Sequence, residues 1–95
     1  MDIKITVLMS VYNTKEDYLR EAIESILNQT LREFEFIIIN DASNEQTINI
    51  LDQYNDDRIL RIDNEVNLGL TASLNKGLSI ARGEYIARMD ADDIS

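Results

Sequence analysis

The chain has no cysteine, no histidine and no proline among its 95 residues. The first two absences exclude disulfides, zinc sites of the Cys/His type and every mechanism that needs a histidine base from this chain. The missing proline is unusual and carries no functional consequence. No stretch approaches the run of about 18 apolar residues that a membrane-crossing helix needs. The opening MDIKITVLMS lacks a basic start followed by a long apolar core, so it does not read as a signal peptide. Cationic side chains are also scarce, with 9 Lys and Arg against 18 Asp and Glu and a net charge of -9. Binding to a nucleic-acid backbone relies on clustered Lys and Arg, so nucleic acid is not an expected partner. A ligand that carries phosphate requires a metal cation as mediator here.

What is present is a single small domain over 1–95. Hydrophobic residues make up 44% of it and charges are interspersed, the composition of a folded globular chain. A domain this short buries only about 60–65% of its unfolded surface, so stability is modest unless a partner or second copy covers more apolar area.

Apolar periodicity alternates between two patterns. IKITVLMSV, FEFIIIN, RILRI and YIARM are short, β-branched or aromatic runs bounded by polar residues, which predicts strands. Between them, KEDYLREAIESILNQT places Leu19, Ala22, Ile23, Ile26 and Leu27 on one helical face. Thr14 is the expected N-cap, with acids in the first turn where the helix dipole favours them. NEQTINILDQYN repeats the theme through Ile48, Leu51 and Tyr54, with Ser43 or Asn44 as cap. LTASLNKGLSIA gives a stripe of Leu70, Leu74, Leu78 and Ala81, with Gly83 expected to end that helix. The connections are too long for hairpins, so the strands are expected to run parallel through right-handed crossovers, in an α/β sheet of about four strands.

Ligands of open parallel sheets bind outside the carboxyl ends of the strands. The first expected strand ends in Ser10-Val11-Tyr12-Asn13 and the second in Asn40-Asp41-Ala42-Ser43. The third is followed by NEVNLGLT, and the fourth runs into Asp90-Ala91-Asp92-Asp93. Two readings stand for several of these. Asn40 to Ser43 is either a cap and turn or a ligand edge; Asn67-x-Gly69 is either an ordinary turn, with glycine supplying a positive φ, or a ligand border. The three carboxylates after YIARM repel one another unless a cation neutralises them. Oxygen ligands of this kind suit Mg²⁺ or Mn²⁺, and the cation would let an acidic site accept a diphosphate.

In order and spacing, ITVLMSVYN, IIINDASNEQT, NLGLTASLNKG and GEYIARMDADDIS together resemble the N-terminal half of an inverting family 2 glycosyltransferase of the GT-A fold. The resemblance spans nearly the whole chain. It implies a Rossmann-like three-layer α/β/α arrangement with strand order 3-2-1-4 and binding of a nucleotide sugar of the UDP or GDP type. The acceptor in the full enzyme is then a saccharide or a lipid-linked molecule. By that resemblance, Val11, Tyr12 and Asn13 line the base pocket largely through backbone groups, and Asp41 bonds the base or ribose. Asn67 and Gly69 border the nucleotide. Asp90 faces the ribose, Ala91 lies within the acidic motif, and Asp92, with Asp90, holds a Mn²⁺ or Mg²⁺ that bridges the diphosphate.

Two positions depart from the family pattern. Relatives commonly carry proline at the place of Val11, which is tolerable if only backbone is read there. Many carry arginine at the place of Leu74, where leucine completes an apolar stripe; Lys76 nearby is either a substitute cation or a surface lysine. The resemblance puts the general base beyond Ser95, so the 95 residues read as a donor half without turnover of its own. A sugar nucleotidyltransferase is a competing reading, but SVYNTKEDYL lacks the glycine-rich basic loop of that class. A non-catalytic, self-associating fragment is another, because an open edge at the fourth strand invites a second copy. Cytoplasmic location is expected, with the full-length protein at the inner face of the membrane.

Overall fold

Strand β2, Phe34–Asn40, is buried at every position, and the rest of the domain is arranged to cover it. The computed structural model describes residues 3–28 and 33–90, with the side chain of Asp90 excepted. The elements follow in the order β1 (Ile5–Val11), α1 (Glu16–Leu27), β2, α2 (Glu45–Leu51), β3 (Ile59–Asp63), α3 (Leu70–Ile80) and β4 (Tyr85–Asp90). All strand pairs are parallel and the sheet order is β3-β2-β1-β4. The expected α/β class and strand order are thus the observed ones.

The triple isoleucine explains why β2 is central. Side chains alternate across a sheet, so Phe34, Phe36 and Ile38 join one core, and Ile37 and Ile39 join another. The first core is closed by Leu19, Ala22 and Ile23 of α1 and by Ile50 and Leu51 of α2. The second is smaller and takes Leu8 from β1 with Leu74 and Ala81 from the α3 side. Full burial of each such aliphatic side chain contributes roughly 1.5–3 kcal/mol, so the two-faced coverage of β1 and β2 carries most of the stability.

Helix ends show where expectation and structure part. Asn44 caps α2, its Oδ1 accepting from the backbone N–H of Thr47 at 3.0 Å. Thr14 does not cap α1; Lys15 holds that position without a side-chain bond, and the buried Thr14 hydroxyl has no partner among the described residues. Helix α2 is shorter than its periodicity suggests. The backbone N–H groups of Gln53 and Tyr54 bond Ile50 and Leu51, which closes the helix in a tighter turn.

On α3 the expected stripe is buried only in part: Leu74 and Ala81 pack against the second core. Leu70 and Leu78 are about half exposed, whereas Ser73 and Gly77 are buried. The reason is close approach, since a Cβ at Gly77 would collide with the side chain of Leu8. Small residues let α3 sit down on β1, and the flanking leucines are left at the rim. Gly83 does not end α3 either. The helix stops at Ile80, Ala81 follows in extended conformation, and Gly83 instead lies against β1. A Cβ there would come within 2.5 Å of Thr6 N and 2.7 Å of the Ile5 carbonyl carbon.

Glu35, nearly sealed from solvent at the amino end of the sheet, fastens this crossing. Its Oε2 accepts from the Thr6 hydroxyl at 2.7 Å and from Arg82 N at 2.6 Å, and Gly83 N donates to Thr6 Oγ1 at 2.9 Å. Burial pushes the Glu35 carboxyl up, but the bonds from Arg82 and Thr6 outweigh it and hold the group below its usual value. The start of β4 is therefore fixed, and with it the direction in which Asp90 emerges.

Candidate functional site

The chain reverses its direction of travel across the sheet at β1. Two crossovers lead from β1 outward to β3, and the third returns to place β4 on the other side of β1. The carboxyl edge between β1 and β4 is therefore the topological switch point, the crevice where such sheets bind ligands. Val11, Tyr12 and Asn13 leave β1 at this edge, and Asp90 ends β4 beside Ser10. The expected ligand residues Ala91 and Asp92, and Asp93 after them, lie outside the described residues. Asp41 follows β2 two strands from β4, a span of about 10 Å at ordinary strand spacing.

The first two loops are stitched together. Asn13 adopts a left-handed φ of 49°, a conformation that asparagine tolerates better than most residues. From there its Oδ1 accepts from Asn44 N at 2.6 Å, and its own N–H donates to Ser43 Oγ at 3.2 Å. The Val11 carbonyl accepts from Asp41 N at 2.8 Å and from Ser43 Oγ at 3.2 Å. The Val11 side chain is fully buried, while Tyr12 is half exposed beside it. Ala42 also takes a left-handed φ, 59°, which costs a non-glycine residue about 1–2 kcal/mol.

Asp41 organises the third loop. Only 2% of the residue is exposed, and Oδ1 accepts from Leu68 N at 2.7 Å and from Asn64 Nδ2 at 2.9 Å. Oδ2 accepts from Gly69 N at 2.9 Å, and the Asp41 carbonyl accepts from Asn67 Nδ2 at 3.3 Å. Gly69 has φ 90°, which only glycine adopts freely, and this conformation turns its N–H toward the carboxylate. Burial pushes the Asp41 carboxyl up, yet the bonds from Leu68, Asn64, Gly69 and Ser73 outweigh it and keep the group below the ordinary carboxylate range. A carboxylate has about four acceptor sites, and three of them are taken here by the protein itself.

Asn64 stands behind this arrangement. Its Nδ2 also reaches Ser73 Oγ at 3.1 Å, and its Oδ1 accepts from Lys76 Nζ at 2.8 Å. Asn40 makes a parallel bridge, donating to Asp63 Oδ1 at 2.9 Å and accepting from Ser43 N at 3.1 Å. The structure therefore joins Val11, Asn13, Asp41, Asn67 and Gly69 in one hydrogen-bonded edge, and sets Asp90 two strands from Asp41. The sequence did not single out Asn64 or Ser73, because their partners lie across the fold; a polar residue inside an apolar helical stripe, as at Ser73, was the available signal. Among the described residues no group of three or more acids, histidines or cysteines forms a metal site, and no helix is long and apolar enough to cross a membrane.

A parallel sheet of order 3-2-1-4 with its polar loops gathered at the switch point defines a Rossmann-like α/β domain. Residues 6–95 match the family described as Glycosyl transferase family 2, and the chain belongs to that family, with the GT-A type of fold. It is 51% identical over 94 residues to the uncharacterized glycosyltransferase MJ1057 of Methanocaldococcus jannaschii, covering 96% of this chain and 32% of that protein. The putative glycosyltransferase EpsE of Bacillus subtilis is 48% identical over 95 residues, covering 97% of this chain and 34% of the other. The crystal structure of S. aureus TarS 1-349 in complex with UDP superposes with a TM-score of 0.84 at 31% identity, over 95% of this chain and 28% of that one. The chain thus spans about a third of the length of the curated relatives it resembles.

Proposed function

We propose that this chain forms the donor-binding part of a glycosyltransferase, taking a nucleoside diphosphate sugar of the UDP or GDP type at the carboxyl edge of its sheet. The observation that carries the reading is the continuous hydrogen-bonded edge from Val11 and Asn13 through Asp41 to Asn67 and Gly69. It ends two strands from the start of the acidic motif at Asp90. The UDP held by the similar S. aureus protein supports a nucleotide of that class.

In this reading the backbone of Val11, Tyr12 and Asn13 walls the base, with the exposed Tyr12 ring available to cover it. Asn67 and Gly69 form the opposite border. Asp41 is 2% exposed, so one of the groups around it has to move aside before it accepts from base or ribose. Asp90 faces the ribose. The acidic motif supplies only oxygen ligands, which suits a hard divalent cation, and Asp90 with Asp92 would hold Mn²⁺ or Mg²⁺. Such a cation stabilises negative charge on a departing diphosphate. Transfer of the sugar to a saccharide or lipid-linked acceptor is the activity this reading assigns to the full enzyme.

Calorimetric titration of the chain with UDP and with GDP, each with and without Mn²⁺, tests this. Heat that depends on both nucleotide and metal is expected. No heat under any of these conditions overturns it.

A second association is favoured by β4, whose outer edge has no strand beside it among the described residues. Tyr85 there is 68% exposed and Ile86 43%. We propose that this edge pairs two copies of the chain.

A further inference from the structure

Lys76 and Asn64 form a unit whose geometry carries more than a surface contact. Asn64 is buried, and its side-chain amide has a charged partner at each end. The ammonium of Lys76 donates to Oδ1 at 2.8 Å, and Nδ2 donates to the Asp41 carboxylate at 2.9 Å. Turning the amide over would set its oxygen against the Asp41 anion and its NH₂ against the Lys76 cation. Both contacts would then be repulsive, so the two charges enforce one orientation from opposite sides.

The consequence reaches the loop beyond. The donors bonded to the Asp41 carboxylate are uncharged, namely Leu68 N, Gly69 N and Asn64 Nδ2. A buried anion held by neutral donors gains when one of them is polarised by a cation, because bonds in a chain strengthen one another in a low-dielectric interior. The Lys76 ammonium polarises the Asn64 amide along the axis that points at Asp41. Asp41 in turn holds Leu68 and Gly69, the residues that shape the Asn67–Gly69 turn.

We propose that Lys76 is a positioning residue of the donor site. Through the Asn64 amide it holds the Asp41 carboxylate and the 67–69 turn in the geometry that receives the nucleotide. This rests on the donor-binding reading above, and it gives a function to a lysine on the exposed side of α3 that touches no ligand itself. Methionine at this place keeps the length and apolar stem of lysine and removes the cation; arginine keeps the cation.

The test has two arms on the same chain. In the first, ¹⁵N-edited NMR of the free protein follows the side-chain NH₂ of Asn64 and the backbone amides of Leu68 and Gly69. In Lys76→Met these resonances should shift and their hydrogen exchange should quicken, while Lys76→Arg should keep them near the parent positions. In the second, calorimetry with UDP and Mn²⁺ should give about tenfold weaker binding for Lys76→Met, the size of one lost charge-assisted bond, and restored binding for Lys76→Arg. Unchanged Leu68 and Gly69 resonances in Lys76→Met, or an arginine variant as impaired as the methionine one, overturns the proposal. If the parent chain binds neither UDP nor GDP, the donor reading fails on its own, and the NMR arm alone decides whether Lys76 positions the turn.

Discussion

The carboxylate of Asp41 accepts the backbone N–H of Gly69 at 2.9 Å, from 28 residues further along the chain. The acid that follows the central strand and the glycine that precedes α3 are thus one structural unit. Asp41→Asn keeps the size and removes the charge, and it turns an NH₂ toward donors that need an acceptor. Leaving a buried donor unsatisfied costs about 1–3 kcal/mol. We expect a loss of that order in urea unfolding, together with faster exchange of the Leu68 and Gly69 amides. A variant as stable as the parent would show that the bonds are incidental.

Beside Asp56, which Arg58 holds down at about 2, the same carboxylate and Glu35 at the other end of the sheet contribute to the response to acid. Both groups are held below their ordinary values in the folded protein. A lowered folded value means the stabilisation is complete above the unfolded carboxyl range and is lost as pH falls through the folded values. Stability should therefore be flat near neutrality and decline below about pH 4. Glu35→Gln and Asp41→Asn together should flatten that decline, measured as the unfolding midpoint between pH 3 and pH 6.

Gly83 against Thr6 offers a steric test. The Cβ of alanine would lie 2.5 Å from Thr6 N and 2.7 Å from the Ile5 carbonyl carbon, and both are backbone atoms that cannot swing aside. Overpacking of this kind costs about 1–3 kcal/mol. For a domain of this size each kcal/mol lowers the melting temperature by roughly 4–8 °C. A Gly83→Ala protein that melts with the parent would contradict the close packing of β1 against the segment before β4.

Ala42 should respond in the opposite direction. Its left-handed φ of 59° strains a residue with a Cβ, and glycine relieves that strain. Part of the relief is offset by the greater freedom of glycine in the unfolded chain. Ala42→Gly is expected to stabilise by up to about 1 kcal/mol, read from the same urea series.

Self-association at β4 can be followed by sedimentation over a range of concentrations. The parent should move toward a dimer as concentration rises, and Ile86→Lys, a charge on the exposed edge strand, should stay monomeric. A parent chain that remains monomeric throughout rules the pairing out.

Local pattern was enough to read the strands, because a run such as FEFIIIN can satisfy its side chains only by burial on both faces. It also offered Ser43 or Asn44 as the cap of α2, of which Asn44 is the one used, and put Asp41, Asn67 and Gly69 at the carboxyl edge. Periodicity read α3 only in part, since Leu74 and Ala81 pack inward but Leu70 and Leu78 are left half exposed. Which face of a helix is buried depends on how closely it approaches its neighbour, and here Gly77 and Ser73 allow contact that the leucines do not. The role of Gly83 was likewise set by a strand far from it in sequence, not by the helix that it follows.

What the sequence determined by itself was the class of sheet and the family, since these follow from alternation, connection length and motif order. Tertiary structure alone decided that the Asp41 carboxylate takes three donors from the third loop and that Lys76 stands behind Asn64. Those relationships join residues 12 to 28 positions apart. A buried hydrogen bond has a meaning only once the fold has chosen its partner.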